Sequence, residues 1–278
     1  MLRILLFLAT NLAVLVMAAV AMTVLTALGV IPPDAPYIQL LIWSALFGFG
    51  GAFFSLAISK WMAKRSTGAR VIEAPADERE AWLLETVRRQ ATQAGIGMPD
   101  VAIFPSPEPN AFATGMFRNS ALVAVSAGLL QTMNRDQVEA VLGHEITHVA
   151  NGDMVTLTLI QGVLNTFVIF ISRIIASQFR RGQFLIYIAL QMMFGVLASM
   201  VVAWFSRRRE FRADAGGAHL AGRPAMVSAL ERLRAVSGTP SQLPRNLAAF
   251  GIHGGGMRRL LSTHPPLEVR VARLQGST

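Results

Sequence analysis

His144-Glu145-Ile146-Thr147-His148 lies within the run from Asn134 to Gly152, and reading that run as a helix decides how the rest of the chain is organised. Asn134 suits an N-cap, and Gln137, three residues on, completes the capping-box pattern. Val138, Val141, Leu142 and Val149 recur at helical spacing and form the expected buried stripe, and Asn151-Gly152 supplies a stop. Residues four apart share one face of a helix, so His144 and His148 can present two imidazoles to a single metal ion. Glu145 points about 100° away from His144 round the axis, which suits a base beside the metal more than a further ligand. The competing reading is a pair of surface histidines, and the flanking segments weigh against it.

Two histidines and a glutamate in this pattern point to a zinc peptidase, which needs a third protein ligand and one coordination position left for water. Glu210-Phe211-Arg212-Ala213-Asp214 offers Glu210 as that ligand. Asp214, one turn further and about 40° round the same helix, is placed to take the distal N–H of a ligating histidine and fix its tautomer. The alternative for Glu210 is a solvated carboxylate next to Arg207, Arg208 and Arg209. His219, nine residues beyond Glu210, falls on the opposite side of the helix and reads as structural or exposed. The sequence has no cysteine, which excludes disulfides and thiolate-bound zinc and leaves His, Asp and Glu as the strong ligands.

With 53% hydrophobic and only 15% charged residues over 278 positions, the chain is too apolar for an ordinary soluble domain. Ile4 to Ile31 carries no charged residue and exceeds the roughly 20 residues needed to cross a bilayer as a helix. Tyr37 to Ser59 repeats the pattern, and Pro32, Pro33, Asp34 and Pro36 punctuate the turn between them, giving a membrane hairpin. A cleaved signal peptide competes for the first span, but its apolar region would run only about 7 to 15 residues. Gly48 and Ala52, four apart, offer a face by which the two helices of this hairpin approach closely. Arg3 before the hairpin and Lys60, Lys64, Arg65 and Arg70 after it put both ends in the cytoplasm. The net charge of +9 sits beside apolar spans, so anionic lipid headgroups, and not nucleic acid, are the expected partner.

Lys64 to Gly68 reads as a juxtamembrane linker, and Asp77 to Ala94 as an amphipathic soluble helix stopped by Gly95. Val101 to Phe104 and Ala121 to Ser126 read as a small strand pair separated by a long connection rich in proline. Met154 to Ile175 and Phe184 to Phe205 form a second apolar hairpin. The alternative for this pair, a hairpin buried in protein or lying at the interface, draws support from Arg180 and Arg181 in its loop. Glu210 must return to the side of His144, so these stretches cross twice or not at all. The expected architecture is a mainly α membrane protein of α+β type, with about four transmembrane helices and a cytoplasmic zincin-like metalloprotease domain holding a small β-sheet. Its parts are residues 1–63 as the amino-terminal hairpin, 64–152 and 206–278 as the protease domain, and 153–205 as the second hairpin.

These segments, together with Asn110-Ala111-Phe112-Ala113-Thr114-Gly115, Asn151-Gly152-Asp153 and Ser262-Thr263-His264-Pro265-Pro266-Leu267-Glu268-Val269-Arg270, resemble the HtpX-type membrane zinc endopeptidases over nearly the whole chain. The resemblance implies one Zn2+ per chain in a cytoplasmic site, an inner-membrane location, and polypeptide substrates that are damaged membrane proteins cut during stress. It further implies that Asn110 and Ala111 lie on an edge strand pairing with substrate backbone and that His264 lies near the zinc. Read from the residues alone, Asn110 serves equally as a turn former and His264 as a structural histidine. Pro265 and Pro266 stiffen the backbone after His264, from where Arg270 can brace the site or the following helix. His253, within Gly251 to Gly256, belongs to a glycine-rich loop that reads as an exposed loop or a lid. The expected chemistry has His144, His148 and Glu210 holding zinc, Glu145 as base and His264 with zinc stabilising the oxyanion. The rivals are a non-catalytic zinc-containing membrane scaffold, whose metal would be closed by four protein ligands, and a transporter lined by Gln161, Asn165 and Arg173.

Overall fold

The computed structural model describes residues 37–236 and 262–276, with Thr23, Thr26, Ala27 and Gly29 besides. Apart from those four residues the first apolar span, and with it the proline turn that follows and the His253 loop, lie outside the described residues. In chain order the elements are α1 (Tyr37–Thr67), β1 (Arg70–Val71), α2 (Glu78–Gln93), β2 (Asp100–Phe104), β3 (Ala111–Thr114), β4 (Leu122–Ser126), α3 (Ala127–Thr132), α4 (Arg135–Asn151), α5 (Asp153–Ser177), α6 (Gln183–Ala221), α7 (Arg223–Val236) and α8 (Leu267–Leu274). Helices predominate, beside one small mixed sheet. Among the described residues α1, α5 and α6 are long and apolar enough to cross a bilayer.

The helices divide between two compact units. The first takes its described residues from the chain up to Ser55 and from Thr156–Val202. In it Gly48 faces α5: a Cβ there would fall 2.4 Å from Thr166 Oγ1 and 2.5 Å from the Thr166 amide nitrogen. Gly162 meets the Phe49 ring in the same way, so small residues let the two apolar helices approach closely. Phe170 and Ile174 fill the space beside them against Tyr37, Leu40 and Leu41.

The second unit comprises Leu56–Val155 and Ala203–Thr278. Its sheet has the order β1-β2-β4-β3. β2 and β4 are parallel, Val101 opposite Val123, and β3 closes one end antiparallel to β4, with Phe112 opposite Ala124. The two strands expected from the sequence are thus present, but the connection between them holds a third. All four residues of β3 are buried and flanked by Pro109 and Gly115, so no in–out alternation marks it. The expected linker at residues 64–68 also differs. Its first four residues are the last turn of α1, where the Ser66 and Thr67 hydroxyls donate to the carbonyls of Met62 and Ala63, and Lys64 and Arg65 suit the negative end of the helix. Gly68 then turns the chain at φ 67°.

α4 begins as its residues dictate, the Asn134 side chain accepting from the Gln137 amide and Gln137 accepting from that of Asn134. It ends at left-handed Gly152, φ 67°. Val138, Val141, Leu142 and Ile146 pack it into one core with Leu83 and Val87 of α2 and Leu230 of α7. α6 runs unbroken through Phe205 and Arg207 to Arg209, so the boundary read at 205/206 falls inside a helix that ends at Gly222, φ 94°. Two glycines set its distance from α4. A Cβ on Gly217 would lie 3.0 Å from the His144 amide nitrogen, and one on Gly216 2.3 Å from the Thr147 side chain.

Candidate metal centre

One turn apart on α4, His144 and His148 turn their rings inward at 87° to each other, with the Nε2 atoms 3.1 Å apart. Glu210 reaches them from α6, its Oε2 3.6 Å from His144 Nε2 and its Oε1 3.2 Å from His148 Nε2. One donor atom from each of the three lies within 4.8 Å of the other two. Two imidazole nitrogens and a carboxylate, enclosed by protein, form a donor set that suits a metal ion of zinc's kind.

The outer nitrogens are also tied. Asp214 Oδ1 is 3.0 Å from His144 Nδ1, and Asp153 Oδ2 is 2.7 Å from His148 Nδ1. A carboxylate accepting Nδ1–H leaves the lone pair on Nε2, facing the cluster. Asp153, the last residue of the Asn151-Gly152-Asp153 run, has no role that spacing alone predicts. It is the first residue of α5, brought back beside His148 by the left-handed turn at Gly152. Arg209, 7% exposed, donates from Nη1 to the Asp153 carbonyl at 2.6 Å.

Arg270 of α8 forks Asp214, Nε to Oδ2 at 2.8 Å and Nη2 to Oδ1 at 2.5 Å, and its Nη1 stands 3.4 Å from Glu210 Oε2. It is 1% exposed, and although burial opposes its charge, Asp214 more than compensates and keeps it cationic. His264 Nδ1 lies 2.7 Å from Glu210 Oε2, while its Nε2 is buried without a hydrogen-bond partner among the described residues. Glu145 is 2% exposed, and burial pushes its carboxyl above the ordinary range, with the charge of Glu210 adding to this and the two histidines opposing it. Burial would lower His148, but the hydrogen bonds to Asp153 and Glu210 outweigh it and push the imidazole up to about 10.

Asn110 and Ala111 are buried at the start of β3, where the Asn110 amide donates to Ser126 Oγ at 2.9 Å and its carbonyl accepts from the Ser126 amide at 2.8 Å. His219 is exposed and takes no part in the cluster.

The profile of peptidase family M48 matches residues 77–278. The chain belongs to peptidase family M48. Among its M48 relatives, Protease HtpX of Thioalkalivibrio sulfidiphilus (strain HL-EbGR7) is 57% identical over 290 residues, covering 98% of each chain. Protease HtpX of Xanthomonas axonopodis pv. citri (strain 306) is 57% identical over 291 residues, 99% of this chain and 98% of that one. Family and relatives make the chain a membrane metalloendopeptidase. The crystal structure of S. mikatae Ste24p superposes with a TM-score of 0.62 at 16% identity, over 95% of this chain and 67% of that one, which shows a shared fold.

Proposed function

We propose that His144, His148 and Glu210 hold one Zn2+ and that the peptidase cuts damaged or misfolded membrane proteins. The observation that carries the metal assignment is the convergence of two Nε2 atoms and a carboxylate, each ring held from behind by its own aspartate. Three protein ligands with room for water are the donor set of a catalytic zinc, whereas a structural zinc is closed by four. Bound there, zinc supplies Lewis acidity that polarises the scissile carbonyl and makes the attacking water easier to deprotonate.

The remaining work belongs to side chains. Glu145 takes the proton of the attacking water and delivers it to the leaving amine, a task served by a carboxyl raised towards neutrality. Asp153 and Asp214 hold the two imidazoles in register, and Arg270 holds Asp214. His264, held against Glu210 through Nδ1, helps to stabilise the carbonyl oxygen as charge builds on it. The edge of β3, from Asn110 and Ala111 onward, pairs with an extended substrate, and recognition through main-chain hydrogen bonds gives broad sequence tolerance.

In the same reading, residues 4–31, α1, α5 and the apolar part of α6 span a bacterial inner membrane four times. Residues 1–63 and 153–205 are the hairpins, and 64–152 with 206–278 build the protease domain. Arg3, Lys60, Lys64, Arg65 and Arg207 to Arg209 mark the cytoplasmic ends, and α5 and α6 cross out and back so that Glu210 meets His144 on that side. Metal analysis of protein purified in detergent tests the ligand set. Wild type carries one zinc per chain and Glu210→Ala loses it; near-normal zinc in that variant removes Glu210 from the ligands.

A further inference from the structure

A cavity of about 450 Å³ lies along α6, the first residue of α7 and α8, within the second unit. Its lining includes Asp214 and Arg270 but none of His144, His148 or Glu210, so it is separate from the metal cluster. Phe211 and His219 of α6, Arg223 of α7 and Arg273 of α8 complete its polar and aromatic wall. Asp214 is the one acid in that lining, and Arg270 already neutralises it. Arg223 and Arg273, both exposed at the cavity mouth, make no ion pair among the described residues, so among those residues no carboxylate offsets their two guanidinium charges. Arg273 lies over the Phe211 ring at 4.5 Å, which fixes its plane and leaves its N–H edges for a ligand. Arg223 opens the fourteen-residue α7 directly after Gly222.

We propose that this cavity binds a phosphate-bearing anion, either a small soluble phosphate ester or the headgroup of an anionic phospholipid. The volume falls within the range of about 300 to 1,000 Å³ usual for small-ligand sites. Planar guanidinium forks are the side chains best matched to phosphate oxygens. Because the cavity shares Asp214 and Arg270 with the support of His144, its occupant sits one side chain removed from a ring of the metal cluster. The site needs no part of the zinc assignment, and its test reads ligand binding, with zinc content and cleavage only as controls on the variants.

The test follows thermal unfolding of the full-length zinc-loaded protein in detergent. It is titrated with glycerol phosphate against sodium chloride at equal ionic strength, and in parallel with phosphatidylglycerol against phosphatidylcholine in mixed micelles. A saturable rise of about 5 °C near hundredfold saturation is expected from one of the two phosphate sources. Arg223→Gln/Arg273→Gln abolishes it while keeping zinc content and basal cleavage, and Arg273→Lys keeps part of it. A rise with glycerol phosphate assigns a soluble ester, and one with phosphatidylglycerol alone assigns the headgroup. No rise from either source, or an equal rise in the double variant, overturns the proposal.

Discussion

A proton on the outer nitrogen of a metal-binding imidazole needs an acceptor, and at His144 and His148 a carboxylate provides it in each case. Asp153→Asn keeps the shape of that contact and removes its charge, so zinc affinity is expected to fall about 10- to 100-fold, read by competition with a chromogenic chelator. A change under twofold contradicts a supporting role for Asp153. The same contacts set a pH dependence. In metal-stripped protein His148 is pushed up to about 10, so its contribution to stability is complete below the ordinary imidazole value of 6.5 and is lost as the pH rises through about 10. Zinc needs the neutral ring, so binding at pH 7 releases at least one proton and tightens as pH rises, which calorimetry in buffers of different ionisation enthalpy reads as a buffer-dependent heat. A buffer-independent heat contradicts the raised imidazole. At this scale spacing alone pointed to His144, Glu145, His148, Glu210 and Asp214. Asp153 escaped because its approach depends on the left-handed turn at Gly152; Arg270 was expected to brace the site or the following helix, but its partner Asp214, 56 residues away, was not, because no local pattern encodes that distance.

Between elements, the site depends on how closely α6 lies against α4. Gly143, Gly216 and Gly217 make that crossing, and a Cβ at Gly217 would press on the His144 amide nitrogen at 3.0 Å and the Ala140 carbonyl oxygen at 3.2 Å. Backbone cannot yield as a side-chain tip does, so Gly217→Val is expected to destabilise by about 1 to 3 kcal/mol and to weaken zinc binding, with Gly217→Ala milder. Thermal unfolding and zinc titration check both, and wild-type values in the valine variant contradict this account of the crossing. The start and stop of α4 were legible because Asn134, Gln137 and Gly152 act locally. β3 was hidden from periodicity because four residues buried on both faces show no alternation, and the resemblance alone put an edge strand at Asn110 and Ala111; the extension of α1 through Thr67 was hidden because a polar, basic helix end resembles a linker. The glycines of the α4–α6 crossing are visible in the sequence, but their partners are not.

Over the whole molecule the two compact units interleave along the chain, so each is built from segments far apart in sequence. Composition disclosed the membrane class, since α1, α5 and α6 are apolar through most of their length, and the motif pointed to the His144, His148 and Glu210 cluster that could hold a metal. The pairing of β2 with β4 was expected, but the full sheet order was not disclosed, because the short β1 and the buried β3 that flank them carry no alternating pattern. The central claim is that a zinc held by His144, His148 and Glu210 works with Glu145 as the base. Its most direct test is cleavage of an unfolded protein substrate by detergent-purified wild type and Glu145→Gln, with zinc quantified in both and a chelator control. The account predicts equal zinc, cleavage by wild type that stops on chelation, and a rate in Glu145→Gln lower by about 10²- to 10⁴-fold. Cleavage by Glu145→Gln at the wild-type rate, or wild-type cleavage that survives removal of zinc, contradicts it.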